Sequence, residues 1–149
     1  MVSGMEQKKI LVLCTGNSCR SQLAEGYLRF FAAGKAVVYS AGIETHGVNP
    51  LAIAVMAEDG IDISAQTSNN VSYYKDMDFD FVLTVCDHAK ERCPIFYTDA
   101  VRFHSDFPDP GKATGSAEEI LAEFRNVRDQ VKDYCRQFVY DHVNDMTET

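Results

Sequence analysis

Cys14-Thr15-Gly16-Asn17-Ser18-Cys19-Arg20-Ser21 stands between two segments of opposite periodicity. Before it, Ile10-Leu11-Val12-Leu13 is a short unbroken apolar run, the mark of a buried strand. After it, Leu23, Ala24, Tyr27, Leu28 and Phe31 recur at helical spacing, so a helix starts near Ser21. The stretch is therefore a loop from the end of a strand to the start of a helix. Such a loop turns its backbone N–H groups into a ring at the positive end of a helix, a ready seat for a tetrahedral oxyanion. Thr15, Gly16, Asn17, Ser18, Cys19 and Arg20 are the candidate anion-binding residues. Arg20 adds a planar fork that grips two oxygens at once. The same field favours Cys14 as a thiolate, since helix N-termini and nearby cations lower a cysteine pKa to roughly 3.5–7.5.

Outward from the loop, strand and helix signals alternate. Strands are expected at about 8–13, 36–40, 80–85 and 100–104, with a first helix at about 21–33 closed by Gly34. Asn49-Pro50 is a cap followed by proline at the first helical position, opening a helix to about Asp59. A short extended piece, Ile61–Ile63, and a weak helix after Ser68 follow. Ser105–Gly115 is a Pro- and Gly-containing loop bearing Asp109. Ser116-Ala117-Glu118-Glu119 is a capping box for a last helix whose apolar stripe is Ile120, Phe124, Val127, Val131, Cys135 and Phe138. This order predicts one α/β domain over 1–149, a small four-stranded parallel sheet with helices on both faces. The loop then lies at the carboxyl end of the first strand, where such sheets place their ligands.

Composition narrows the chemistry. A net charge of −8 argues against nucleic acid as a partner. No apolar run approaches the roughly 20 residues that span a membrane. The leader Met1–Lys9 lacks an apolar core, so a cytoplasmic, thiol-reducing setting is expected. The five cysteines are Cys14, Cys19, Cys86, Cys93 and Cys135, an odd count unlike a structural disulfide framework. Cys86 and Cys93 bracket the polar segment Asp87–Arg92. If that segment is helical, the two residues stand about 10 Å apart, whereas a disulfide requires Cα atoms within about 7 Å. Bonding the pair would thus require unwinding. Packing residues or zinc ligands are the other readings of these two, although zinc sites favour shorter spacings.

The eight-residue loop, in its strand–loop–helix context, resembles the phosphate loop of low-molecular-weight protein tyrosine phosphatases. It is similar above all to that of their relatives, the thioredoxin-coupled arsenate reductases. The resemblance runs from about Lys8 to the C-terminal helix. The Cys86/Cys93 pair favours the reductase branch. So does Asp109-Pro110-Gly111-Lys112, where the phosphatases usually place tyrosine after Asp-Pro.

The resemblance implies a division of labour. Cys14 attacks arsenate, the loop N–H groups and Arg20 hold the other oxygens, Ser21 hydrogen-bonds the Cys14 thiolate, and Asp109 protonates the leaving hydroxide. Cys86 then attacks Cys14, Cys93 attacks Cys86, and thioredoxin reduces the resulting disulfide, with no organic cofactor. The family also implies a potassium ion beside the loop, held by Asn17, Glu25 and Ser40. Asn69 stands where a further ligand is often aspartate, and losing that carboxylate weakens a hard-cation site. Two other functions remain at this point. One is a phosphatase working through a Cys14 phosphoenzyme; the other is a non-enzymatic arsenic- or redox-responsive binding protein. Asp109 also has a rival in Asp106, and either is a plain turn former otherwise. Cys19 and Cys135 read as structural. His46, His88, His104 and His142 are scattered without ligand spacing and receive no role, apart from a weak link of His88 to the neighbouring thiols.

Overall fold

The computed structural model describes residues 7–87, 96 and 98–144. Its centre is strand β1, Lys8–Cys14, whose last five residues are all buried. It is flanked by β2, Ala36–Gly42, on one side and β3, Phe81–Thr84, on the other, with β4, Val101–His104, outermost beyond β3. All pairings are parallel, giving the order β2-β1-β3-β4. A central parallel strand is covered on both faces, which is why Ile10–Leu13 shows no alternation. The outer strand β4 is mostly exposed and carries Arg102, a charge that discourages edge pairing.

Helix α1, Arg20–Ala32, starts one residue earlier than the apolar spacing suggests. Its left-handed stop is Ala33, followed by Gly34 at φ 90. Helix α2, Pro50–Glu58, has the expected Asn49 cap, which accepts from the Leu51 N–H. Helix α3, Ala117–His142, has the full Ser116/Glu119 capping box. The weak helix after Ser68 is a 3-10 turn, Val71–Tyr74.

Both sheet faces are covered, by different means. Ile10, Val12 and Leu83 face a core built with all three α-helices, through Leu23, Tyr27, Met56, Phe124, Val131 and Cys135 among others. Leu11, Leu13 and Val82 face a smaller cluster with Tyr74, Phe79 and Phe96, so the 3-10 turn and its neighbouring aromatics cover that side. Register sets Cys14 beside Gly42, Leu13 beside Thr84, and Thr84 beside His104. The carboxyl ends of all four strands thus form one rim, and the loop rises from its middle.

Candidate active site

The loop from Cys14 to Arg20 is held open by its own carbonyls. Thr15 and Gly16 C=O accept from the backbone N–H groups of Glu44 and His46, at 3.0 and 3.3 Å. The Ser18 C=O accepts from Asn49 N–H at 3.0 Å, and the Asn17 C=O from the Gln22 side-chain amide at 3.0 Å. In a trans peptide the N–H points opposite to the C=O. Four outward carbonyls therefore turn the N–H groups of Gly16, Asn17, Ser18 and Cys19 inward, toward a cleft of about 450 Å³. Cys14, Thr15, Gly16, Ser18, Cys19, Arg20 and Asp109 line it, and α1 begins at its floor with no side-chain cap on its first turn. The loop can come this close to β2 because of Gly42, where a Cβ would stand 2.7–2.9 Å from Thr15 O, Cys14 O and Asn17 N.

The predicted residues meet here. Cys14 Sγ and Ser21 Oγ are 3.0 Å apart, both buried. The buried Arg20 guanidinium donates to Phe107 C=O at 3.2 Å and lies 3.6 Å from the Asp109 carboxylate. Asp109 in turn caps the 3-10 turn Pro110–Lys112 by accepting from Gly111 N–H. Asp106 is turned elsewhere, against His104 at 2.5 Å. His104 also meets Thr84 Oγ1 at 2.6 Å. Cys19 packs by the Asp109 turn, and burial, ahead of the Asp109 and Cys14 charges, pushes its thiol up to about 11. Cys135 is wholly buried behind α1, and desolvation raises its thiol further still.

Cys86 follows β3 on the other side of β1. Its sulfur lies 3.9 Å from the Leu13 carbonyl and 4.0 Å from Thr15 Oγ1, so it touches both chain neighbours of Cys14. Cys14, Cys19 and Cys135 are free thiols, whereas Cys86 is disulfide-bonded. Cys93 and His88 lie outside the described residues.

Asn17, Glu25 and Ser40 also converge, but their donor set does not fit a potassium ion. Glu25 accepts from Ser40 Oγ and from Arg29, each at 2.6 Å. Asn17 Oδ1, the amide's acceptor, is taken by the Asn69 backbone N–H at 2.7 Å. The cluster has one carboxylate, its charge already balanced by the Arg29 guanidinium, and Asn69 offers no second one, whereas ligand charge governs the affinity of a hard-cation site.

Three residues lining the cleft, Glu44, His46 and Lys112, had no role assigned from the sequence. Glu44 and His46 meet side chain to side chain at 2.7 Å, and the His46 ring lies over Gly16. Lys112 lines the same cleft, beside the Asp109 turn. Their signal was only adjacency to a turn, which any surface segment shares.

A sequence model of the low molecular weight phosphotyrosine protein phosphatases matches residues 9–148. The chain belongs to that family. Among its similar curated relatives are arsenate reductases. The chain is 48% identical to an arsenate reductase of Halalkalibacterium halodurans and 46% identical to one of Bacillus subtilis, in each case over 90% of this chain and 96% of the other. Solved structures of an arsenate reductase in the phosphate binding state and in the oxidized state superpose with TM-scores of 0.77, at 36% identity over 91% of this chain and 98% of theirs.

Proposed function

We propose that this phosphatase-family protein reduces arsenate to arsenite through a thiol relay, Cys14 to Cys86 to Cys93. One observation carries the reading: the disulfide-bonded sulfur of Cys86 sits against the two residues flanking a free Cys14, whose loop is shaped for an oxyanion. The relatives' names supply the anion.

The chemistry balances without a cofactor. The Cys14 thiolate displaces an oxygen of arsenate as hydroxide, protonated by Asp109, and an S–As(V) bond forms. The inward N–H groups and Arg20 hold the remaining oxygens and stabilise the charge that builds on them. Cys86 thiolate attacks Cys14 Sγ; the S–As pair of electrons goes to arsenic, which leaves as As(III), and a Cys14–Cys86 disulfide remains. Cys93 attacks Cys86, returning Cys14 as a thiolate. A dithiol protein of the thioredoxin type reduces the last disulfide, in the reducing cytoplasm where such exchange is supported. Ser21 steadies the Cys14 thiolate both before attack and after release. In a protein of charge −8, this positive patch is local, built by peptide dipoles, Arg20 and Lys112.

The test is turnover of arsenate with thioredoxin, thioredoxin reductase and NADPH. Wild type turns over repeatedly. Cys86→Ser and Cys93→Ser lose multiple turnover yet keep a modest hydrolysis of an aryl phosphate, because that reaction uses only Cys14, Arg20 and Asp109. Normal arsenate turnover by both variants would falsify the relay. A wild type that hydrolyses aryl phosphate but leaves arsenate untouched would make the protein a phosphatase.

A further inference from the structure

The loop is braced by a charged residue two turns along α1. Arg29 Nη2 donates to Glu25 Oε2 at 2.6 Å and to the Val38 carbonyl at 2.9 Å; its Nη1 donates to Gln66 Oε1 at 3.1 Å. Each of its two nitrogens starts a chain of hydrogen bonds, and both chains end on Asn17. Through the first, Glu25 Oε1 accepts from Ser40 Oγ at 2.6 Å, and Ser40 Oγ accepts from Asn17 Nδ2 at 2.9 Å. Through the second, Gln66 Nε2 donates to Gln22 Oε1 at 2.8 Å, and Gln22 Nε2 donates to the Asn17 carbonyl at 3.0 Å. Asn17 is held at φ 48, a left-handed conformation that costs a non-glycine residue energy and persists only under such restraint.

Directionality travels along the first chain. A carboxylate only accepts, so Ser40 spends its single proton on Glu25 and must accept from Asn17. The Asn69 N–H fixes Oδ1 as the outward end of the Asn17 amide, leaving Nδ2 to face Ser40 and Ser21. Asn17 Nδ2 donates to Ser21 Oγ at 2.7 Å. Ser21 is thereby an acceptor on that side, and its own proton is left for Cys14 Sγ at 3.0 Å. The Glu25 carboxylate sets Ser40 as an acceptor toward Asn17, the Asn69 N–H holds the Asn17 amide in the matching sense, and together they assign every donor in the series.

We infer that Arg29 is a positioning residue: its guanidinium is the built-in cation that orients the Glu25–Ser40–Asn17–Ser21 series toward Cys14, in place of a bound alkali ion. This rests on Cys14 being the nucleophile but not on arsenate being its substrate. A buried carboxylate beside a catalytic loop requires a positive partner, and here the chain supplies it covalently. Potassium then has no work to do in the native protein and acquires some only when Arg29 is removed.

The experiment reads Cys14 directly. The reduced protein is alkylated with iodoacetamide at fixed neutral pH, with modification at Cys14 followed by peptide mass, in potassium chloride and in tetramethylammonium chloride of equal ionic strength. Wild type reacts equally fast in both salts. Arg29→Met slows about tenfold in tetramethylammonium, the loss expected when one charge-assisted hydrogen bond is misdirected, and recovers at least partly in potassium. Arg29→Lys restores the rate in both salts, and Arg125→Met, which breaks the distant Arg125–Glu58 pair, changes nothing. Ser40→Ala cuts the series at its middle and slows Cys14 as Arg29→Met does, with no rescue by potassium. A wild type accelerated by potassium over tetramethylammonium overturns the inference and needs no variant. So does a folded Arg29→Met or Ser40→Ala protein whose Cys14 reacts at the wild-type rate. Because no arsenate is present, a protein that fails to reduce arsenate still passes or fails this test independently.

Discussion

Cys14 and Cys19 close the two ends of one loop, five residues apart, and both are buried, at 2% and 5% exposure. Burial therefore does not distinguish them; their polar neighbours do. Cys14 meets the hydroxyl of Ser21 at 3.0 Å, at the end of a fully directed series of donors. Cys19 has the hydroxyl of Ser18 at a looser 3.5 Å, and its nearest charges include the Asp109 carboxylate, which opposes a second anion. Desolvation is left to dominate, and the thiol is held protonated. The two thiols thus share one peptide ring and differ in how closely hydroxyls approach their sulfurs and in the charges beside them.

The largest expected effect sharpens this contrast. Cys14→Ser lowers arsenate reduction and aryl phosphate hydrolysis by at least about a thousandfold, as removal of a covalent nucleophile does. Cys19→Ala stays within about tenfold, because its contribution is packing beside the Asp109 turn. Steady-state assays of both variants check the pair. Comparable losses from the two would break the comparison.

The next effect lies at the Cys19 end, where Asp109 stands against Arg20. Asp109→Asn lowers kcat about a hundredfold or more, the usual share of a general acid. Asp106→Asn stays within about threefold, since Asp106 does not line the cleft and is turned to His104 in an exposed pair. Sequence alone left these two aspartates as rivals. The structure separates their positions, since one lines the cleft and the other faces the outer strand.

That separation marks where legibility ended. The strand, loop and helix around Cys14 were readable because each carries a local signal: an unbroken apolar run, a motif, a helical period. The caps at Asn49 and Ser116 were readable for the same reason. What could not be read is long-range pairing. The Glu44–Asn49 segment that turns the loop carbonyls outward acts through its backbone, which any sequence could supply. The Arg29–Glu25 pair looks like an ordinary i,i+4 surface pair until the burial of Glu25 is known. The covering of the second sheet face by a 3-10 turn and aromatics likewise depends on contacts across the fold. The residue types of the expected potassium ligands were legible, whereas their pairing with one another and with Arg29 was not.

Gly42 is another such position, and it bears on the Cys14 end. Nothing in Ser40-Ala41-Gly42 announces that a Cβ would strike two loop carbonyl oxygens and the Asn17 nitrogen. Since these are backbone atoms, relief requires the loop to move. Gly42→Ala is expected to cost about 1–3 kcal/mol of stability, as overpacking does, measured by urea unfolding. Its activity falls further than this implies, while the Cys19 environment is little changed. Full activity with a shifted urea midpoint would show that the loop tolerates the displacement.

The smallest effect titrates Cys19 itself. Its thiol rises from an ordinary 9.0 to about 11 in the folded protein. Below pH 9 both folded and unfolded chains keep the proton, so the contribution to stability is complete. Between pH 9 and 11 the unfolded chain releases it first, and stability falls with rising pH. The ceiling of this loss is about 3 kcal/mol, from roughly two pKa units at 1.36 kcal/mol each. Cys135 and Tyr27, also raised by burial, add losses of the same sign, so wild type weakens in overlapping steps. Cys19→Ala removes one of them: urea unfolding from pH 8 to 11 should show a slope shallower by one proton. An unchanged slope would mean that Cys19 ionises as readily in the fold as outside it, and the two ends of the loop would then differ less in their electrostatics than in what their sulfurs can reach.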